Sequence, residues 1–287
     1  MEFDKRAKTS QELLEQLIDR GMLIEDQPQA LQWLEHVNYY RLTPYWLPYR
    51  ANDRFRAHTT FSEVIQHYEF DRRLRALLFN SIERVEISLR RTLSSTLTLK
   101  YGAFAHLDQE LVRDQNKWRY TLKTLSDAYL NSNEVFAVHH REKYPHLKLP
   151  PLWVAVELTT FGMLRNMYQN LESRADRQAV AVHYKIDESI FISLLKHLES
   201  VRNTCAHHSR VWNRKFVIKT KLPSPTNFKS SKTLNRGSDA TGRIYNTIIL
   251  LDYLESVILG TGELFQLVSE LLEEHPSVNR TNMGYPI

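Results

Sequence analysis

The chain has 287 residues, 42% of them apolar and 25% charged, so it can bury a sizeable core and is not of the disordered class. Eight glycines is a low count for this length and argues against a sandwich, a barrel or a doubly wound sheet, and the single cysteine, Cys205, excludes an intramolecular disulfide. The longest apolar runs, such as Thr247 to Leu250, fall far short of the roughly 20 residues of a bilayer span, and no apolar signal region follows the polar start MEFDKRAKTS. A cytoplasmic, all-α protein with no membrane partner is the expectation.

In chain order, two short helices come first. Ser10 is the expected cap of one, Leu13, Leu14, Leu17 and Ile18 share its face, and Gly21 stops it. Asp26 and Pro28 start the next, with Ala30, Leu31, Leu34 and Val37 as its stripe. Pro44 and Pro48 then break the chain beside Tyr39, Tyr40, Tyr45, Trp46 and Tyr49, an aromatic group that packs between helices more readily than it stacks on bases.

A long helix runs from about Phe61 to Leu99 with Leu74, Leu78, Ile82, Val85, Leu89 and Leu93 as one apolar seam. Residues 1–52 read as an N-terminal helical extension and 53–287 as the main helical domain, with an inserted helical and loop segment at about 100–150. In that segment His139, His140 and His146 have no cysteine or carboxylate at ligand spacing, so no metal is expected there. PLWVAVELTTFGMLRNMYQNL reads as one helix with Pro151 in its first turn and Gly162 as a close-packing point, and ESRADRQAVAVHYKI as another. A further helix is expected from Glu188 to Trp212, capped by Asp187 or Ser189. A basic loop at about 219–243 precedes one or two final helices interrupted near Gly260 and Gly262.

Net charge is +5 with a pI near 9.1. The distribution says more than the total. Residues 200–236 hold nine Lys and Arg and no Asp or Glu, which leaves 29 basic against 33 acidic residues elsewhere. Such a field favours a phosphate-rich partner through counterion release and steering; the alternative is a solvated loop with no ligand.

Inside this window ESVRNTCAHHSRVWNRKF, residues 199–216, places Glu199, Asn203 and His207 four apart on one helix face. Arg202 and His207 are five apart, about 140° of rotation on an ideal helix. Either the arginine reaches around, or the helix ends between them, or a second copy supplies the partner. The residue types suit RNA cleavage by internal transesterification. An imidazole with an ordinary pKa near 6.5 accepts the 2′-hydroxyl proton or donates to the leaving 5′-oxygen, a guanidinium holds nonbridging oxygens, and an asparagine amide orients either. No metal or other cofactor is needed. No HExxH, paired CxxC, phosphate-cradling GxxxxGKS/T loop or GxSxG elbow occurs in the sequence. The competing account is a buried hydrogen-bonded network of Asn203, His207 and Trp212 at a helix end, and Cys205 reads as packing rather than as a nucleophile.

RNTCAH matches the R-x4-H pattern of HEPN ribonucleases. With GMLIEDQPQALQWLEHVNYYRLTPY, FDRRLRALLFNSIERVEISLRRTL, PLWVAVELTTFGML and VRNTCAHHSRVWNR in that order, the chain resembles the bacterial Abi-like (abortive infection) family over most of its length. The resemblance implies a HEPN-like helical bundle and a toxin-like endoribonuclease of phage defence or a toxin–antitoxin system. It puts Arg202, Asn203 and His207 in the catalytic role. It implies a homodimer whose two motifs form one composite site. It also leaves room for a non-catalytic protein that holds a small structured RNA. His208, Arg210, Asn213, Arg214, Lys215, Lys219 and Lys221 are the expected RNA-binding or supporting residues.

Overall fold

The computed structural model describes residues 6–226 and 228–286; the first five residues of the polar start, Asn227 of the basic loop and Ile287 lie outside the described residues. The protein is all-α apart from one small hairpin among the described residues. Two compact units divide it, residues 1–76 with 268–280, and residues 77–267 with 281–287.

In the first unit, α1 (Ser10–Asp19) is capped by Thr9, not Ser10. Thr-x-x-Glu makes a reciprocal capping box: Glu12 N–H donates to Thr9 Oγ1 at 3.2 Å and Thr9 N–H to the Glu12 carboxylate at 2.9 Å. The helix stops in a Schellman turn around Gly21, whose φ is 88°. Asp26 caps α2 (Gln27–His36) through the Gln29 N–H at 2.9 Å. α3 (Tyr39–Trp46) contains Pro44 instead of ending at it, and the tightening to a 3-10 turn comes only at Leu47. Tyr45 and Trp46 are buried, whereas Tyr40 is exposed, so the aromatic group packs the core at two positions and leaves a third in solvent. Strands β1 (Arg50–Ala51) and β2 (Arg54–Phe55) pair antiparallel across Asn52 and Asp53, both with positive φ as a two-residue hairpin turn demands.

α4 (Phe61–Tyr101) begins in this unit. Its Asp71 and Arg75 are buried as an ion pair, and the Tyr45 hydroxyl donates to Asp71 at 2.6 Å. Burial, together with the neighbouring Asp71 charge, raises the Tyr45 phenol far above its usual range and keeps it a donor.

From Leu77 onward α4 belongs to the second unit, where Leu78, Ile82, Val85, Leu89 and Leu93 are fully buried. The arginines flanking this helix pair both along it and across: Arg90 with Glu86 on the helix, Arg84 with Glu255 from another element. α5 (Gln115–Asn131) and α6 (Val135–Lys143) follow, with the His140 Nδ1 bonded to the Tyr129 hydroxyl at 2.7 Å.

The run expected as one helix is two. α7 (Leu152–Ala155), with Pro151 at its cap, passes through a 3-10 turn and stops at Thr159, and α8 (Phe161–Gln169) restarts with Thr160 as N-cap. Arg90 stabilises the break by donating to the carbonyls of Glu157 and Thr159, both at 2.9 Å. α9 (Arg174–Ala181) and α10 (Glu188–Ala206) pack with α8. α11 (Tyr245–Leu259) is buried on every side through Glu255, the mark of a helix at the centre of a core. It ends at Gly260, φ 87°, and α12 (Leu264–Glu274) follows. No helix among the described residues is long and apolar enough to cross a membrane.

Candidate functional site

α10 carries the cluster. Asp187 caps it, its carboxylate accepting from the Ser189 N–H at 2.9 Å. Phe191, Leu194, Leu195, Leu198, Val201 and Cys205 form its buried stripe, and packing against α8 and α9 fixes the rotation of the helix. Lys196, Asn203 and His207 are in consequence exposed on the outer face, with Glu199 and Ser200 half-buried between them.

The helix expected to reach Trp212 stops at Ala206, one residue before His207, in a second Schellman turn: the His208 N–H donates to the Cys205 carbonyl and the Ser209 N–H to the Thr204 carbonyl, both at 2.9 Å. The residue at the pivot is left-handed in such a turn. Gly21 fills that place after α1, whereas after α10 it is His208, with φ 55°. A residue with a Cβ costs about 1–2 kcal/mol there, and strain of this kind clusters at functional sites. Beyond the turn Val211 and Trp212 plunge into the core, each 0% exposed. Asn213 is left-handed as well, and its side-chain oxygen accepts from Arg243 Nη1 at 3.1 Å. Trp212 and Asn213 thus anchor the chain just past the turn, and the turn holds His207 at the surface.

Asn203 and His207 line one open groove of about 510 Å³ together with Lys196, Glu199, Arg165 of α8 and Arg214. Arg165 Nε donates to the Glu199 carboxylate and its Nη1 to Gln169 Oε1 at 2.9 Å. Gly162, one turn earlier on α8, admits the glutamate: a Cβ there would lie 2.6 Å from Glu199 Oε1. Arg214 Nη1 donates to the Arg210 carbonyl at 3.3 Å, and its guanidinium lies over the Phe216 ring.

Arg202 does not line this groove. Its guanidinium carbon sits 5.5 Å from the centre of the Phe79 ring, and its Nε is buried without a hydrogen-bond partner. The helix does end between the two motif residues. His207 nevertheless keeps a near-helical backbone, φ −85° and ψ 11°, so the divergence of the two side chains persists within one chain.

The supporting residues scatter. Lys215 pairs with Asp239 at 2.5 Å, and Lys219 packs its methylenes against Gly242. Lys221 donates its backbone N–H to Ser193 Oγ at 2.8 Å and lines a different groove with Arg113. His208 is exposed and Arg210 half-buried. The acid-free window is therefore partly neutralised from outside itself, by Asp239 on Lys215 and by buried Asp252 on Lys232.

One buried residue ties the segment after Phe216 to the helix. The His197 Nδ1 lies 2.6 Å from the Ile218 carbonyl, which can only accept, so Nδ1 carries the proton and Nε2 accepts from the Thr247 hydroxyl at 2.7 Å. Burial pushes the His197 imidazole below its ordinary range and keeps it neutral. Sequence reasoning passed over Arg165, Lys196 and His197. Lys196 was legible as the next position along the Glu199 face, but Arg165, from another helix, had no local signal.

A family model described as Abi-like protein matches residues 32–213, which is well over half the chain and includes α10, its closing turn and Trp212. The chain belongs to the Abi-like protein family. Comparison with curated proteins and with solved structures gives no match. Membership in the Abi-like family suggests a role in abortive infection, the defence against phage. The matched stretch ends at Asn213, so the strained turn and the tryptophan that anchors it fall inside the family pattern.

Proposed function

We propose that this Abi-like protein is a metal-independent endoribonuclease of phage defence or of a toxin–antitoxin system. It acts at a composite site made with a second copy of the chain. The observation that carries the reading is the placement of His207 and Asn203, exposed on an open groove walled by Lys196, Arg165 and Arg214. A neutral His207 imidazole takes the proton of the ribose 2′-hydroxyl as that oxygen attacks the adjacent phosphorus. The bond from phosphorus to the 5′-oxygen breaks, and a protonated His207 of the second copy donates to the leaving oxygen. The products are a 2′,3′-cyclic phosphate and a 5′-hydroxyl. Arg202 faces the other flank of α10, and a second copy is the simplest way to bring a guanidinium and an imidazole to one phosphate.

The test is cleavage of RNA by purified protein in EDTA with the ends identified chemically. Arg202→Ala and His207→Ala are each expected to lose at least about a hundredfold in rate with the fold intact. Scission that survives both substitutions overturns the reading, and full activity of a strictly monomeric protein overturns the composite site. A second reading, a non-catalytic protein holding a small structured RNA, is favoured by the turn of Arg202 away from His207 within one chain. It predicts salt-sensitive RNA binding with no strand scission.

A further inference from the structure

We infer that Arg165 is a second phosphate-binding group, positioned by Glu199 and Gln169, which makes the ligand of the groove an RNA strand running several nucleotides to one side of His207. The inference rests on the reading of the groove as an RNA site. Arg165 comes from α8, outside the motif, and reaches the same groove as Asn203 and His207. Its Nε is committed to the Glu199 carboxylate and one Nη1 hydrogen to Gln169 Oε1. Those two contacts fix the plane of the guanidinium and leave Nη2 and the second Nη1 hydrogen for a ligand. A planar fork held this way loses little freedom when it grips a phosphate oxygen pair.

The carboxylate does not cancel the site. Along the groove Arg165, Lys196 and Arg214 supply three positive charges against the single Glu199, and His207 adds no negative charge. A lone anion would be served by one of these cations; a spread of them along a groove suits a backbone with repeating charge. The span sets the length. His207, the C-cap of α10, lies eight positions beyond Glu199, about 12 Å at 1.5 Å per residue. A nucleic acid strand advances about 3.4 Å per residue when stacked and roughly twice that when stretched. Arg165 therefore meets a phosphate about two to four nucleotides from the one at His207. Gly162 belongs to the same device, because a side chain there would displace the glutamate that orients Arg165.

The experiment measures binding of a fluorescein-labelled 2′-O-methyl RNA 12-mer, which cannot be cleaved by 2′-hydroxyl attack, as a function of salt. Each phosphate contact contributes about 0.7 to the slope of log affinity against log salt for a single strand. Arg165→Ala is expected to flatten the slope by about that amount, Arg165→Lys to preserve it, and a dinucleotide to bind wild type and Arg165→Ala alike. Circular dichroism and melting confirm the fold, and Arg165→Gln is the variant to read if the alanine form is unfolded. A slope unchanged in Arg165→Ala or Arg165→Gln overturns the inference, as does equal weakening of dinucleotide and 12-mer. If wild type binds with the expected slope change but cuts no RNA, the nuclease reading fails and the Arg165 assignment stands. If it cuts RNA and the slope is unmoved, the assignment alone fails.

Discussion

His197→Leu removes one buried ring and, with it, the partner of two polar atoms, the part-buried Ile218 carbonyl and the buried Thr247 hydroxyl. The Ile218 carbonyl loses the Nδ1–H donor at 2.6 Å and the Thr247 hydroxyl loses Nε2 at 2.7 Å, while leucine fills much of the same volume. Leaving each polar group unsatisfied costs about 1–3 kcal/mol, so the substitution is expected to destabilise the protein by about 2–5 kcal/mol in all. At about 2–4 °C per kcal/mol for a domain of this size, the melting temperature falls by roughly 4–20 °C. The assay is urea or thermal unfolding followed by circular dichroism at pH 7.5, repeated at lower pH. The folded-state pKa of His197 is lowered by burial. The unfolded chain therefore binds more protons than the folded one below about pH 6.5. The stabilising contribution is present in full above that pH and is lost as pH falls toward the folded pKa, so the gap between wild type and variant narrows on acidification. In His197→Leu/Thr247→Val the unpaired hydroxyl is gone, and about 1 kcal/mol or more of the loss is recovered. A single-variant loss below about 1 kcal/mol, or a gap that widens at low pH, refutes the hydrogen-bond reasoning.

Three further outcomes are expected. His106 is buried and pushed down to about 4 by burial, so its charged form is excluded from the fold and the protein is expected to lose about 3 kcal/mol of stability as pH falls from about 6.5 to 4. His106→Leu flattens the acid limb of a stability-against-pH curve. Trp212→Ala opens a cavity beneath the α10 turn and costs about 3–5 kcal/mol, with denaturant titration expected to show a lower midpoint. Gly262→Ala puts a Cβ 2.3 Å from the Asp252 carbonyl oxygen, a backbone atom that cannot rotate away, and is expected to cost about 1–3 kcal/mol by the same titration.

The helices were legible where one local rule decided them. The α4 seam from Leu74 to Leu93 is buried at each of its six positions, because a 3.6-residue period names a face without needing to know what covers it. Asp187 and Asp26 cap as the pattern requires. The N-cap of α1 moved by one residue to Thr9 because a capping box weighs Glu12 as well as the hydroxyl. The break between α7 and α8 was not legible, since Arg90, which satisfies its carbonyls, lies about seventy residues earlier in the chain.

By itself the sequence determined that the protein is helical, that it belongs with the Abi-like family, and that Glu199, Asn203 and His207 share a face, since each of these depends on short spacings or on residue order. Tertiary structure alone decided which charges meet. Arg165 was brought to the groove from α8, Arg202 was turned onto Phe79, and Lys215 was given to Asp239. A helix repeats every 3.6 residues and so fixes neighbours three and four apart, but the partners of a long, flexible cation are set by how separate helices pack, and no local spacing encodes that.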